Sequence, residues 1–487
     1  MKKNQTIDRR KFLQSLSTGT LGLAAIPVFS AEKSPPNPDI YASGEPGKAV
    51  GSTHAGWQIG IGKSVITPTN GVWLAGYGRK RVAYGKIHDI WVKVIALKDA
   101  VGQRVVMVTT DHMGMSKTVY ERLFQAANRA FGLERSEFML TFSHNHCGPC
   151  LEDDLVDYYP SDQRQRARVA EYTSWMEKRV MEAVAEALSN WQDCELLFGE
   201  GTCTFAVNRR DNKEAEVPEM LAKGLPLKGA VDHYVPVLAA KVPGGHYLAV
   251  LFGYACHPTT LDFSTWCGDY PGFAQIDLEK KYPGTAALFF NACGGDQNPL
   301  PRRKVELCQK YGEMLSTAVD EVLRTRMQSI SPVLSLAFSY VDLAYEALVD
   351  LEKLKPIASG TRPLQARWAN RMIKKIEAGE KFSDRYPFPV QAWKMGKELL
   401  FIGMGGEAVV DYSLRFKQEF PQRTWVCGYA NYMAAYIPSR RVWEEGGYEG
   451  GPHLDEYGHP AWRWSGDIED RIAGAVAKTV KQTQDTG

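Results

Sequence analysis

Short apolar runs bounded by turn-forming residues recur along the chain and predict buried strands. Five of these runs carry no charge in their interior, as is typical of strands covered on both faces. They lie at 104–109, 138–142, 248–252, 286–290 and 399–403. Segments of helical length with apolar residues at i, i+3 and i+4 lie at 166–191, 304–324 and 468–480. The two patterns together predict an α/β fold, a layered mixed sheet with flanking helices in a single large domain.

The beginning of the chain predicts export. Arg9-Arg10, followed by Lys11-Phe12-Leu13 and a short apolar stretch at 23–31, is typical of a twin-arginine signal, which we place at 1–31. The apolar stretch is too short to span a bilayer, so we expect no integral membrane segment in the mature protein. Residues 32–56 are rich in turn formers and predict a linker, which leaves 57–487 for the catalytic domain. The expected location is the periplasm or the cell exterior.

Composition narrows the choice of partner and of redox chemistry. Lysine and arginine number 58, against 56 aspartates and glutamates. This balance gives no sign of the basic surface that a nucleic-acid partner would need. The nine cysteines are odd in number and lack the dense spacing of a disulfide scaffold. Cys147-Gly148-Pro149-Cys150 has the spacing of a redox pair, a pattern that is common and unspecific.

Polar residues with metal-binding or hydrogen-bonding capacity follow each of the five predicted strands. They are Asp111-His112, 143–146, His257, Asn291 with Asp296, and Glu407. Ligands of open α/β sheets bind beyond the carboxyl ends of strands, where loops bring distant residues together. Zinc prefers imidazole, thiolate and carboxylate ligands, and a catalytic zinc keeps one position open. The matching candidates are His144, His146, His257 and Glu407, although each histidine is also compatible with a hydrogen-bonded core position.

The first two candidates are only one residue apart. In an extended segment, His144 and His146 would therefore point to the same face. This spacing favours a shared site for the two imidazoles.

Several segments form an ordered set of motifs between residue 57 and about residue 455. They are IGIGKSVITP at 59–68, SHNHCGP at 143–149, VNR at 207–209, ACHPT at 255–259, NACGGDQNP at 291–299, GE at 406–407, and the tyrosine-containing segments 428–436 and 448–450. In this order they resemble the motifs of the neutral/alkaline, non-lysosomal ceramidase family, in its N-terminal catalytic domain.

The resemblance implies a zinc site and a set of substrate-binding residues. The implied zinc ligands are His144, His257, Glu407 and Tyr436. It also implies that His146 lies beside the open coordination position and that Arg209 and Tyr448 bind or polarise the substrate. One position departs from the family: Asn298 replaces its serine, and an amide cannot act as a nucleophile or as a hydroxyl proton relay. We therefore expect a divergent member that is not a true ceramidase.

Three functions are compatible with this set of residues. The first is zinc-dependent hydrolysis of an amide or ester, in which His146 moves protons while Arg209 and Tyr448 stabilise the oxyanion. The second is a lyase or dehydratase reaction on an uronic-acid-containing oligosaccharide, with Arg209 and Arg210 holding the carboxylate and Tyr436, Tyr448 or His146 removing the α-proton. The third is a metal-stabilised binding protein without catalysis. The tandem arginines favour an anionic substrate, and export is compatible with the breakdown of extracellular polysaccharide.

Overall fold

The computed structural model describes residues 56–78 and 81–484. The predicted export signal, and the predicted linker up to residue 55, lie outside these residues. The described chain contains seventeen strands. They are β1 (Trp57–Val65), β2 (Trp91–Lys98), β3 (Arg104–Thr110), β4 (Phe138–Phe142), β5 (Gln192–Thr202), β6 (Ala206–Asn208), β7 (Tyr234–Lys241), β8 (Tyr247–Tyr254), β9 (Ala286–Asn291), β10 (Gln297–Pro299), β11 (Gln328–Ser329), β12 (Leu334–Ala344), β13 (Arg385–Met395), β14 (Leu399–Met404), β15 (Glu407–Ala408), β16 (Arg423–Cys427) and β17 (Tyr436–Ile437).

Eleven helices lie in the same residues. They are α1 (Lys117–Phe131), α2 (Gln163–Ser189), α3 (Val217–Ala222), α4 (Asp269–Lys281), α5 (Val305–Arg324), α6 (Leu351–Ala358), α7 (Pro363–Glu377), α8 (Val410–Glu419), α9 (Arg440–Glu445), α10 (Gly447–Gly450) and α11 (Ile468–Gln482). Helix α2 begins three residues earlier than the apolar spacing predicts, because the Asp162 carboxylate caps it by accepting from the Gln165 amide at 3.1 Å. No helix in 56–78 or 81–484 is both long and apolar enough to cross a membrane.

Two sheets pack face to face. The larger has the strand order β4-β3-β2-β1-β5-β7-β8-β9, with β11 paired to β5, and the smaller has the order β12-β13-β14-β16. Side chains alternate along the strands: in β3, Val105 and Met107 face the second sheet, whereas Val106 and Val108 face the helices. Strand β14 alternates likewise, with Phe401 toward the first sheet. Helices α1, α2, α4 and α5 cover the outside of the larger sheet, and α8 and α11 cover the smaller.

This four-layer arrangement explains why the five predicted strands are apolar on both faces. All five occur, as β3, β4, β8, β9 and β14, and each is buried almost throughout. The predicted α/β class, with a layered mixed sheet flanked by helices, is confirmed.

The two edges of the larger sheet meet at their carboxyl ends. Neighbouring strands of a sheet are rotated by roughly 20–25°, so the seven steps from β4 to β9 accumulate roughly 140–175°. Strands β4 and β9 run in opposite directions within the sheet. A rotation of this size therefore turns their carboxyl ends toward the same region. The side-chain amide of Asn291, at the end of β9, donates to the Ser143 carbonyl just after β4 at 3.1 Å.

The segment that follows β16 fills the remaining gap between these edges. The Phe142 amide donates to the Tyr429 carbonyl at 3.1 Å, and the Gly428 amide donates to the Asn291 carbonyl at 3.3 Å. The loops after β4, β8, β14 and β16 consequently converge on one buried region.

Candidate metal centre

Three buried side chains from distant parts of the chain converge at this region and form what we call the metal centre: His144, His257 and Glu407. His144 lies in the loop after β4, His257 lies in the loop after β8, and Glu407 begins β15. One ligand atom from each lies within 4.8 Å of the other two. The Nε2 atoms of His144 and His257 lie 3.1 and 3.0 Å from Oε2 of Glu407.

The local backbone sets the direction of these side chains. Strands β15 and β17 pair in parallel with Glu407 opposite Tyr436, so the register alone places these two residues side by side. Gly406 has φ +89°, and a Cβ atom there would lie 2.6 Å from the Ala435 carbonyl oxygen, so glycine is required for this close pairing. His144 itself has φ +62°, a conformation that is rare for a residue other than glycine. The segment around His144 and His146 is therefore not regularly extended, although their imidazoles do adjoin.

Hydrogen bonds fix the orientation of both imidazoles. Nδ1 of His144 lies 2.7 Å from the Met113 carbonyl, and Nδ1 of His257 lies 2.6 Å from the Gly294 carbonyl. A carbonyl only accepts, so each Nδ1 carries a proton, and Nε2 is the atom of each ring that could bind a metal. Burial, with the charge of Arg209 adding to it, lowers the pKa of His257 to about 4, so this ring is neutral near pH 7.

The Nε2 lone pair of the neutral His257 ring meets Oε2 of Glu407, a carboxylate oxygen that also only accepts hydrogen bonds, at 3.0 Å. Two acceptors at this distance repel each other unless a cation lies between them. Two imidazoles and one carboxylate also form one of the donor sets found in catalytic zinc sites. The residues present therefore fit a divalent metal such as zinc.

A tyrosine that no sequence pattern indicated completes the support of Glu407. The Tyr457 hydroxyl donates to Oε1 of Glu407, the oxygen that does not face the imidazoles. Tyr457 lies in the turn region 455–458, fifty residues from its partner, where neither periodicity nor a motif marks it. Partners of this kind hold a ligand in position without binding the metal themselves.

Replacing Tyr457 with phenylalanine should weaken metal affinity by about 10- to 100-fold, the usual effect of removing such a partner. Competition with a chromophoric chelator measures this affinity. Tyr429→Phe is a matched control, because the Tyr429 ring packs on His144 at 4.8 Å while its hydroxyl has no hydrogen-bond partner among the described residues. Equal affinities in the two variants would show that Tyr457 does not position Glu407.

Tyr436 and Arg209 lie directly beside the metal centre. The Tyr436 hydroxyl is 3.4 Å from Nε2 of His257, and Nη2 of Arg209 donates to that hydroxyl at 3.0 Å. Burial raises the pKa of Tyr436, and the neighbouring guanidinium opposes that rise. Nη1 of Arg209 donates to Oδ1 of Asn298 at 3.3 Å, so Asn298 is linked to His257 by three contacts, through Arg209 and Tyr436. Pairing of β10 with β6 makes this contact possible, since Asn298 lies opposite Val207.

Both tandem arginines are already paired with acids. The Glu449 carboxylate, which is buried, accepts from Nε of Arg209 at 2.8 Å and from Nη1 of Arg210 at 2.6 Å. Arg210 also donates to Glu445 at 2.9 Å and to the Gly446 carbonyl at 2.9 Å. Glu449 lies in the motif segment 448–450, but the sequence assigned it no role. Its pairing with Arg210 removes that arginine as a free anion-binding group.

His146 and Tyr448 each contact a different member of the group around the metal centre. Nε2 of His146 lies 3.2 Å from Nε2 of His144, and burial, followed by the charge of His144, lowers the pKa of His146 well below its ordinary value. Gly76 makes room for this ring, since a Cβ there would lie 2.2 Å from its Nδ1. Tyr448 is 48% exposed, and its ring contacts the Tyr436 ring at 5.1 Å. The eight metal-binding and catalytic residues proposed from the sequence thus belong to one connected group. They are His144, His146, Arg209, His257, Asn298, Glu407, Tyr436 and Tyr448.

Other residues that follow the strands have structural contacts. Asp111 accepts from the Trp91 amide at 2.9 Å, and Asp296 accepts from the Val410 amide at the same distance. Cys147 and Cys150 are buried free thiols, and burial raises the pKa of both. A redox pair needs a stabilised thiolate, and a raised pKa disfavours the thiolate form of both cysteines. The structure therefore does not support a redox role for this pair.

Comparison with known proteins supports the fold. The sequence matches no protein-family model and no curated protein. The structure is similar to that of a neutral ceramidase from Pseudomonas aeruginosa, with a TM-score of 0.65, 17% identity, and coverage of 88% of this chain and 75% of that chain. The fold is ceramidase-like. A ceramidase complexed with C2 matches equally well, with a TM-score of 0.66, 17% identity and coverage of 88% and 76%.

Proposed function

We propose that this protein is a zinc-dependent hydrolase of an amide or ester bond, ceramidase-like in fold but not a true ceramidase. The observation that carries this proposal is the meeting of two imidazoles and a carboxylate at one buried point. His144, His257 and Glu407 would hold the ion, and the Tyr436 hydroxyl is placed to join them. A zinc ion at such a site lowers the pKa of a bound water and polarises a carbonyl.

The residues around the centre would perform the remaining steps. His146 is a neutral base one contact from the ligand His144, so it is placed to take a proton from water and return it to the leaving group. Arg209 keeps its charge beside Tyr436 and would stabilise the oxyanion that forms on the attacked carbonyl. Asn298 orients Arg209 through its side-chain oxygen and supplies no hydroxyl. Attack by water, without a side-chain nucleophile, is compatible with asparagine at this position.

Metal removal tests the proposal. Dialysis against 1,10-phenanthroline should reduce amide and ester hydrolysis below about 1% of the starting rate, because metal activation of water is worth several kcal/mol. One equivalent of Zn²⁺ should restore the activity, whereas Mg²⁺, which prefers oxygen ligands, should not. Full activity of protein shown to be free of metal would contradict the proposal.

A second candidate reaction is elimination from an uronate-containing oligosaccharide. One observation favours it: the Tyr448 hydroxyl donates to Glu456 at 3.3 Å, and burial together with Asp455 raises the pKa of Glu456 to about 7. In this reaction Glu456 would accept the phenolic proton of Tyr448 as Tyr448 removes the α-proton. Appearance of an unsaturated, ultraviolet-absorbing product without acyl release would select elimination. Metal binding without either product would select the non-catalytic alternative.

The proposed site of action is the periplasm or the cell exterior. This part of the proposal is supported by the twin-arginine sequence at 8–13 and the short apolar stretch that follows it. Zinc bound during folding in the cytoplasm would be carried out with the folded protein.

A further inference from the structure

A polar cleft opens directly beside the metal centre. Its volume is about 470 Å³, within the roughly 300–1,000 Å³ of small-molecule sites. Arg209, Asn298 and Tyr448 belong both to its wall and to the group around the metal centre. Arg209 contacts Tyr436, and Tyr436 contacts His257, so the cleft wall is two contacts from a metal ligand. A group bound in this cleft would lie next to the reacting bond.

None of the described residues that line the cleft has an aliphatic side chain. Of the twelve residues that form it, ten are charged or carry a side-chain amide, and the other two are Gly447 and Tyr448. Burying an alkyl chain here would remove water from charged groups without giving the chain apolar contacts. The cleft is therefore unsuited to the long acyl chain or the sphingoid base of a ceramide.

The charges of the lining are matched. Four of its residues are cationic and four are anionic: Arg209, Arg210, Lys213, Arg302, Asp211, Glu214, Glu445 and Glu449. Arg209 and Arg210 are paired with Glu449, and Arg302 is paired with Glu214. Ion pairs of this kind still offer carboxylate oxygens and N–H groups for hydrogen bonds at fixed positions. Because their charges nearly cancel, they produce little electrostatic potential that would attract a charged ligand. A neutral ligand with many hydroxyl groups suits this surface best.

Tyr448 adds a flat apolar surface to this polar lining. Its ring is 48% exposed and is fixed by contact with the Tyr436 ring at 5.1 Å and by its hydroxyl, which Glu456 holds at 3.3 Å. One exposed, oriented aromatic ring among hydrogen-bonding groups is the combination that binds the C–H face of a sugar ring while its hydroxyls are paired.

We propose that this cleft binds a neutral sugar ring of the substrate and that Tyr448 is its stacking platform, so the bond that is cleaved is an acyl group carried by a carbohydrate. The inference rests on the proposed hydrolase function and names its substrate class. In the reaction, a water oxygen forms the new bond to the acyl carbon and the bond from that carbon to the sugar oxygen or nitrogen breaks. The acid is released, and the departing sugar oxygen or nitrogen takes the proton and becomes a hydroxyl or an amine.

Turnover of matched substrates tests the substrate class. We expect the zinc-loaded full chain to release acetate from O-acetylated xylo-oligosaccharides or from N,N'-diacetylchitobiose with a kcat/KM at least about tenfold above that for acyl release from short- and long-chain ceramides. An O-acetylated oligosaccharide that contains an uronate distinguishes a neutral from an acidic sugar and should not be preferred. Faster hydrolysis of ceramide would overturn the inference and the expectation that the protein is not a true ceramidase, while leaving the zinc-dependent hydrolase chemistry intact.

Variants of Tyr448 test the platform. Tyr448→Ala should raise KM for the acetylated sugar by about five- to tenfold, the value of one aromatic contact, with kcat within about twofold of the wild type. Tyr448→Phe keeps the ring and should change KM by less than about twofold. A loss of kcat in Tyr448→Phe would instead show that the hydroxyl takes part in the chemistry, and it would contradict a stacking role. Tyr84→Ala is the control, because Tyr84 is 81% exposed and does not line the cleft.

Binding separates failure of this inference from failure of the proposed function. If no substrate releases an acyl group, calorimetry with the unacetylated oligosaccharides still reports on the cleft. Weaker binding to Tyr448→Ala than to the wild type would support the sugar site even though hydrolysis had failed. Absence of oligosaccharide binding to the wild type at millimolar concentration would overturn it.

Discussion

Glu407→Gln should lose its bound metal and at least about a thousandfold of kcat/KM, because metal activation of water accounts for several kcal/mol of the barrier. Glutamine has nearly the volume of glutamate, so the buried position should remain filled. Its neutral amide would replace the one negative charge that faces His144 and His257 at 3.0–3.1 Å. Elemental analysis of the purified variant, together with its hydrolysis rate, measures both effects.

Glu445→Gln is the matched control for this substitution. Glu445 is a partly exposed glutamate that pairs with Arg210 and Arg441 and contacts none of His144, His257 and Glu407. This variant should keep its metal, and Tm should confirm that both variants are folded. Normal metal content in Glu407→Gln would show that Glu407 is not a ligand.

Arg209→Lys should reduce kcat by about 100- to 1,000-fold while metal content stays unchanged, the size of effect seen when one oxyanion-stabilising donor is removed. The guanidinium of Arg209 donates to Glu449, Asn298, the Gly295 carbonyl and Tyr436 at the same time. A lysine ammonium keeps the charge but cannot span these acceptors with one planar group. Stopped-time assays over a substrate range would separate kcat from KM.

Arg210→Lys provides the comparison. It changes the neighbouring residue in the same way, and Arg210 shares Glu449 with Arg209 but does not reach Tyr436 or Asn298. Its kcat should fall by less than about fivefold, since only paired charges outside the reacting region are altered. Equal losses in the two variants would indicate that the arginines act only by holding Glu449, and would contradict an oxyanion role for Arg209.

The sequence predicted the layers of the fold because the burial pattern of this chain is simple. A strand between a second sheet and a layer of helices must be apolar at every position, and 286–290 and 399–403 could be recognised on that basis. The pairing of the two sheets could not be predicted in the same way. It depends on contacts such as Phe290 with Phe401, whose rings lie 5.0 Å apart, and no local pattern encodes them.

The residues of the metal centre could be predicted where a side chain that can bind a metal directly follows a buried strand. His257 and Glu407 each follow a buried strand and carry a ligand atom, so their side chains could be selected from the sequence. Tyr457 and Glu449 could not be selected, because they act on Glu407 and Arg209 through contacts across 50 and 240 residues. The anionic-substrate expectation drawn from Arg209 and Arg210 illustrates the same limit, since their shared partner Glu449 becomes visible only when the chain is folded.

The most direct test of the metal centre is a crystal structure of the full chain with anomalous diffraction recorded above and below the zinc edge. We predict one strong anomalous peak from a zinc ion that is bound by His144 Nε2, His257 Nε2 and Glu407. The Tyr436 hydroxyl should lie next to this ion. A zinc ion bound by other residues would contradict the account. So would protein crystallised with zinc in which His144, His257 and Glu407 bind no ion.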